Sequence, residues 1–411
     1  MYNLKQVSTI IGFESKLIKI LIVDNTTSNI HCLYSNSIQY SGFDQNNLFN
    51  IDEVKKVLRS ELIKAEKFIG AKISGWFLDI PNLQIGVETK IIDNKNFSNE
   101  IDLQSYIDNL PPANNTYTLR NVITKYILND QVREQFPNRA KNFKIEYVSY
   151  YASNSIITLC STLCNDLGIE IFGFYNNAFA IKSLFNKENR SKLLIDVCDD
   201  GINLTCYGLN NIINRSIKIN YGIDWLKNPI RQKLLIDDNN KIDNLINIIP
   251  LIKNVKVNPV IVNHHQDTYL AIAQCSISNL FKLVNKSIIE QFDRISSQFQ
   301  EHHFSEVILT CCNKFHDVYK LINDISPIKI NGTAIKFLEN NVIGLENENN
   351  SYLLSAINDA LVENNSLDSD QKCSIDPFIL EDISSKQYQQ KVIIKLGIIS
   401  TNFAAKLGQG E

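Results

Sequence analysis

The sequence predicts an α/β protein built as two similar lobes. Three observations carry this prediction. Residues 7–40 and 192–219 each read as a meander of three short strands. Segments with a helical period lie beyond each meander. Between them the regular pattern lapses, as it does when a smaller unit is inserted into a larger one. At 411 residues, with 44% hydrophobic and 21% charged side chains, the chain has enough material for two or three folded units around a sizeable core.

The elements follow in order. Residues 7–13 (VSTIIGF) and 16–23 (KLIKILIV) read as two strands joined by a very short turn, and a third strand is expected near 30–40. Residues 51–70 have a helical period. Val54, Leu58, Leu62, Ala65 and Ile69 share one face, Asp52 and Glu53 suit the N-terminus, and Gly70 suits the stop. A strand at 73–80 ends at Pro81. Residues 82–118 are irregular and contain Pro111-Pro112 and Asn114-Asn115, so the insert is placed from 82 to 142. A strand at 144–151 and a helix at 155–165 are read as the return to the first lobe. Strands at 192–197, 202–207 and 212–219 make the second meander. The chain then reads as loop-rich from Asn228 until a long amphipathic helix, 269–300, with Leu280, Val284, Ile288, Phe292, Ile295 and Phe299 as its buried stripe. A strand at 306–310, a helix near 317–325 and a last short helix at 351–362 complete the body.

Composition excludes several function classes. Lys and Arg number 41 against 44 Asp and Glu, a net charge of -3, whereas broad nucleic-acid binding needs a positive surplus to neutralise phosphates. The nine cysteines are odd in number and scattered, which reads as reduced thiols in a cytosolic protein. A secretory signal is not expected, because Glu14, Lys16 and Lys19 interrupt the first apolar stretch. No run approaches the roughly 18 apolar residues that span a bilayer. His264-His265 and His302-His303 are adjacent pairs that cannot face one metal in regular structure. Cys160 and Cys164 share a helix face but lack a nearby His to complete a zinc set. His316 and Cys312 have no oxyanion or orienting motif beside them, so nucleophilic catalysis is not expected there.

Several strings in order resemble the FtsA family of actin-like bacterial division proteins. These are Ile11-Gly12-Phe13-Glu14 on the first strand, Phe49-Asn50-Ile51-Asp52 before the first helix, and Ile73-Ser74-Gly75-Trp76-Phe77-Leu78 after it. Leu194-Ile195-Asp196-Val197, Phe281-Lys282-Leu283-Val284-Asn285 and Val307-Ile308-Leu309-Thr310 follow at similar spacing. The resemblance covers about residues 7–362. It implies an actin-like two-lobed α/β fold around a nucleotide cleft, with an inserted FtsA-type small subdomain and a C-terminal amphipathic tail. The boundaries are then 1–81 and 143–190 for the first lobe, 82–142 for the insert, and 191–225 and 306–362 for the second lobe. Residues 226–305 form its small subdomain, 363–390 a linker and 391–411 the tail. The resemblance further implies that 226–305 docks the FtsZ C-terminal tail. Lys282, Lys286 and Arg294 are the basic residues there that could meet an acidic peptide, and head-to-tail self-association into an actin-like polymer is expected through the insert.

Actin-like ATPases cradle phosphates in Gly-rich hairpin turns, because only Gly lets the backbone approach so closely. Here the first turn after Glu14 reads Ser15-Lys16-Leu17-Ile18. The second, Asp196-Val197-Cys198-Asp199-Asp200-Gly201, has Cys198, Asp199 and Asp200 where Gly is expected, and the third carries Cys311-Cys312-Asn313 in place of a Gly pair. Like unit charges at ~4 Å repel by about 4 kcal/mol at an effective dielectric of 20, roughly a thousandfold in affinity. Glu14, Lys16, Asp196, Gly201 and Thr310 are what remains of a site for ATP and Mg²⁺. The sequence therefore disfavours the cofactor, and no catalytic or metal residue is assigned.

In the tail, Val392, Leu396, Ile399, Phe403 and Leu407 are spaced 4, 3, 4 and 4, with Lys391 and Lys395 placed to reach lipid headgroups. Five such side chains supply roughly 7–15 kcal/mol gross if fully buried. Interfacial burial is partial and helix formation offsets much of it, so one tail holds reversibly and an array holds firmly. The function expected from the sequence is a cell-division adaptor on the inner face of the cytoplasmic membrane that tethers FtsZ filaments of the Z-ring. The alternatives are a working actin-like ATPase and a pilus-assembly platform of the same fold.

Overall fold

The computed structural model describes residues 7–13, 17–24, 31–40, 51–79, 85–93, 97, 99–112, 115–137, 142–176, 178, 191–208, 212–252, 260–264, 272–300, 302–311 and 315–337. The predicted helix at 351–362, the linker and the tail, with Lys391, Val392, Lys395, Leu396, Ile399, Phe403 and Leu407, lie outside the described residues.

The first lobe begins with the antiparallel meander β1 (Val7–Phe13), β2 (Leu17–Asp24) and β3 (His31–Gln39). β1 and β2 are near-continuous apolar runs because both sheet faces are covered. Ile11, Ile20 and Ile22 enter one core, while Ile10, Leu21 and Val23 enter another. The helix α1 (Ile51–Ile69) buries Val54, Leu58, Leu62 and Ala65 on the first of these faces. It stops at Gly70, whose φ of 74° costs a residue without Cβ nothing. β4 (Gly75–Asp79) pairs parallel with β1. α3 (Asn154–Leu167) packs Ile156, Cys160, Leu163 and Cys164 beside α1 and ends at Gly168, also left-handed, before β9 (Glu170–Tyr175). The sheet order is β3-β2-β1-β4-β9.

The second lobe repeats this plan. β10 (Lys192–Val197), β11 (Ile202–Tyr207) and β12 (Ile213–Ile219) form the meander, and β15 (Glu306–Cys311) and β17 (Thr333–Phe337) follow in parallel. β16 (Lys329–Ile330) sits at the edge, giving the order β12-β11-β10-β15-β17-β16. The segment read as loop-rich after Asn228 is instead two helices, α4 (Ile223–Leu234) and α5 (Asn239–Ile252), and a hairpin of β13 (Val260–His264) and β14 (Ile272–Ser276). Pro229 and Pro250 inside the helices, with many β-branched and Asn residues, hide the period. Burial of Ile223, Leu226, Ile230, Ile242, Ile246 and Ile249 outweighs that weak propensity. The long helix α6 spans Ile277–Gln298 and not 269–300, because residues 272–276 are drawn into the hairpin. Its predicted buried stripe is the observed one. α7 (His316–Ile325) lies against α5.

The region read as the insert contributes to a four-stranded sheet, β5-β8-β6-β7, made from β5 (Gly86–Asp93), β6 (Thr116–Leu128), β7 (Gln131–Arg133) and β8 (Lys144–Ser153). One face is covered by α2 (Glu100–Asp108), whose Leu103 and Ile107 join Tyr126, Phe143, Ile145 and Tyr147 in a separate core. The strand expected at 144–151 exists, but it pairs with β5 and β6 and not with the first lobe's sheet. The sheet of the insert therefore runs on past 142 to Ser153. On its other face Val148 and Tyr150 meet Leu194, Tyr207, Ile213 and Ile308 of the second lobe, and the Ile213 amide donates to the Tyr150 hydroxyl at 3.0 Å.

Ile145 is fully buried in the small core under α2. Ile145→Ala is expected to destabilise the insert by about 2–5 kcal/mol, read as an early transition in urea followed by Tyr fluorescence. An unchanged unfolding profile would contradict this packing.

Candidate functional site

The most constrained turn of the molecule joins β10 to β11. Asp196 sits one residue before the end of β10, level with Thr310 on β15. Both are buried, and the Thr310 Oγ1 donates to Asp196 Oδ1 at 2.8 Å. The Cys198 thiol lies 3.7 Å from the second carboxylate oxygen, and the Asn203 amide lies 3.7 Å from that sulfur. The turn closes when Cys198 N–H donates to the Gly201 carbonyl at 2.8 Å.

The start of α4 presses on this turn from outside. Ile223 N–H donates to the Cys198 carbonyl at 3.0 Å, and Asp224 N–H to the Asp199 carbonyl at 2.8 Å. These are amides that a helix N-terminus leaves without an intrahelical partner, and here the turn takes them up. Gly222 makes the approach possible, since a Cβ there would lie 2.3 Å from Gly201 N and 2.4 Å from the Cys198 carbonyl. Gly201 is needed for a similar reason, because a Cβ would meet the Ile219 carbonyl at 2.7 Å. From behind, the fully buried Gln291 on α6 donates to the carbonyls of Tyr221 (2.6 Å) and Gly222 (3.2 Å) and accepts from the Tyr319 hydroxyl at 2.7 Å.

The two unexpected carboxylates part company. Asp199 is turned inward and is 8% exposed. Asp200 faces solvent and accepts from Lys218 Nζ on β12 at 2.7 Å. Lys218 had no signal in the sequence. It lies one residue before the end of β12, opposite Asn203, and its role depends on strand register.

Of the predicted residues, Asp196, Thr310 and Gly201 come together at this turn. Glu14, Lys16, Cys312 and Asn313 lie outside the described residues. Lys282 and Lys286 share the exposed side of α6, where Lys286 stands 3.8 Å from Glu290. Arg294 is not beside them. Its guanidinium stacks on the Tyr221 ring at 4.2 Å and donates to the Tyr221 hydroxyl at 2.7 Å, and Trp225 packs edge-on against the same ring. Nearby, the buried Lys227 on α4 reaches Asp243 on α5 at 2.6 Å and Asp224 at 3.3 Å, with its ammonium over the Phe315 ring.

Cys160, Cys164 and His316 are set in apolar surroundings that act on their titration. Burial pushes Cys160 and Cys164 up to about 12, and the Trp76 indole donates to the Cys164 sulfur. Burial holds His316 below the usual imidazole range, against an opposing pull from Asp317. Among the described residues no group of His, Cys, Asp and Glu is placed to hold a metal ion.

Gly222→Ala is expected to lower stability by about 1–3 kcal/mol through overpacking against backbone that cannot yield, seen as a lower melting temperature. An unshifted transition would contradict the tight abutment.

No family model matches the chain, and no curated protein sequence does. Solved structures do match. One is of a PilM–PilN type IV pilus biogenesis complex, at TM-score 0.57 and 7% identity over 85% of this chain and 96% of that one. Another is the ethanolamine utilization protein EutJ of Carboxydothermus hydrogenoformans, at TM-score 0.50 and 8% identity over 86% of this chain and 89% of that one. At such identities the fold alone is shared. The duplicated meander-and-helix lobes and these whole-length likenesses give one conclusion: the chain has the α/β fold of the actin-like ATPases.

Proposed function

We propose that this chain is an actin-like adaptor that works without turning over ATP. The observation that carries the reading is the β10–β11 turn. The actin-like ATPase fold implies a polyphosphate lying on this turn with Mg²⁺ beside it, and the residues present do not suit one. Two glycine positions are carboxylates, and Asp200 with its Lys218 partner stands at the turn's open side. The turn's remaining glycine serves packing on β12, and Asp196 is engaged by Thr310. Each feature is explained by the protein's own packing, with no ligand required.

The partner is read from the ordered FtsA-like strings and from Lys282 and Lys286 on the open side of α6. On this reading the subdomain receives the acidic C-terminal tail of FtsZ, the amphipathic tail holds the cytoplasmic membrane, and copies associate with one another at the division site. Arg294 contributes by holding Tyr221, one step removed from the peptide. A second reading, a pilus-assembly platform, is favoured by the whole-length likeness to PilM in its complex with PilN.

Three measurements separate the readings. Calorimetric titration of the full chain with Mg-ATP at high micromolar concentration is expected to show no saturable heat, and saturable binding with phosphate release would restore the ATPase reading. Fluorescence anisotropy with the FtsZ C-terminal peptide from the same cell is expected to show binding that Lys282→Glu with Lys286→Glu weakens. No association with that peptide would leave the pilus reading in possession. Removal of residues 388–411 is expected to abolish pelleting with anionic vesicles, and equal pelleting would remove the tail's anchoring role.

A further inference from the structure

α1 buries one face in the first lobe's core and turns the other to solvent. It packs on the side of the first sheet that carries Ile11, Ile20, Ile22 and Leu78. The opposite side of that sheet, with Ile10, Leu21, Val23 and Phe77, joins the core of the second lobe. The open face of α1 therefore looks away from the second lobe.

The charges on α1 are sorted between its faces. Asp52 and Glu53 are exposed in the first turn, where carboxylates suit a helix N-terminus. Beyond that turn the acidic side chains are engaged by the protein itself. Glu61 is buried and accepts from the Tyr34 hydroxyl, the Asn36 amide and Lys64 Nζ. Glu66 accepts from the Ile73 amide at 3.0 Å. Lys55 reaches sideways to Asp166 on α3. Lys56, Arg59 and Lys67 are left exposed, with no carboxylate partner among the described residues. Lys56, Arg59, Ile63 and Lys67 follow at spacings of 3, 4 and 4, so Ile63 stands among three bases on one stripe. Ile63 is 45% exposed, and Phe68, 47% exposed, lies beside the stripe with its ring against Tyr34. In a chain of net charge -3, this stripe is a local reversal of sign.

We infer that this face of α1 lies on an anionic membrane surface and sets the orientation of the chain there. Charge complementarity selects the occupant: the three bases reach headgroup phosphates while Ile63 and Phe68 meet the acyl boundary. A convex helix face needs no groove in what it meets, which suits a bilayer. Each base near such a surface is worth roughly fivefold in affinity, so the three together add about a hundredfold. The inference rests on the membrane contact of the proposed function and adds what the tail does not supply. A tail joined through a flexible linker fixes no orientation. α1 holds the first lobe against the bilayer and leaves the second lobe, with Lys282 and Lys286, on the side away from it.

Sedimentation of the full chain with vesicles of equal parts phosphatidylglycerol and phosphatidylcholine tests it, together with quenching by lipids brominated on their acyl chains. Arg59→Glu with Lys67→Glu should weaken partitioning about tenfold or more. Its melting temperature should be unchanged, since both side chains are exposed. Arg59→Lys with Lys67→Arg keeps the charge and should partition as the original chain does. Ile63→Trp should show its emission, over that of Trp76 and Trp225, quenched by the brominated lipids. Ile289→Trp, at a 39% exposed position of α6, should stay bright. Pelleting without quenching of Ile63→Trp overturns the inference, leaves the tail's role intact and gives the face to an acidic protein partner. Quenching that persists after removal of residues 388–411 keeps the face and removes the tail's role. Equal quenching of Ile63→Trp and Ile289→Trp, or a double reversal that partitions like the original chain, would each overturn it.

Discussion

The structure around the candidate site depends on the seating of α4 on the β10–β11 turn. Gly222 has no Cβ, so two α4 amides reach the carbonyls of Cys198 and Asp199. Those bonds satisfy helix donors that would otherwise be orphaned and turn carbonyls that would otherwise be dry. Gln291 then fixes the approach from the α6 side, and Tyr319 fixes Gln291. One close backbone contact thereby ties together the second lobe's sheet, α4, α6 and α7. In a phosphate-binding relative such a turn has to present its amides outward. Here the carbonyls of Cys198 and Asp199 bond to α4, the Cys198 amide bonds to the Gly201 carbonyl, and Asp200 pairs with Lys218 at the surface.

The sequence sets Asp199 and Asp200 where a polyphosphate should rest, and alternation along the chain sends them to opposite sides. The turn does so, with Asp199 inward and Asp200 outside against Lys218. On the proposed reading, the side chains of Cys198, Asp199 and Asp200 fill space that a close phosphate contact leaves to glycine.

Much of the fold was legible because its strongest signals are local. The near-continuous apolar runs of β1, β2 and β10, the α1 stripe before Gly70, and the α6 stripe from Leu280 to Ile295 each state an element and its buried face. What stayed hidden depends on partners distant in sequence. β8 reads as a strand wherever it pairs, and only register shows that it joins β5 and β6. α4 and α5 carry interior prolines and poor helix formers, so their existence is decided by burial of Ile230, Ile242 and Ile246. At the site, Asp196, Gly201 and Thr310 were legible as motif remnants. Lys218, Gly222 and Gln291 were not, because a lysine on an outer strand, a glycine before a helix and a glutamine within a helix acquire their roles only through packing. Arg294 was placed with the α6 lysines by spacing of 4 and 8, whereas twelve residues from Lys282 carry it a third of a turn away, onto Tyr221.

The proposed adaptor role requires that the β10–β11 turn be completed by its own protein and leave no place for a triphosphate. A crystal structure grown with saturating Mg-ATP tests this most directly. Lys218 on Asp200, α4 amides on the turn carbonyls and no phosphate oxygen within hydrogen-bonding distance of residues 198–201 are expected. A triphosphate bonded to those backbone amides, with Mg²⁺ held near Asp196, would contradict it.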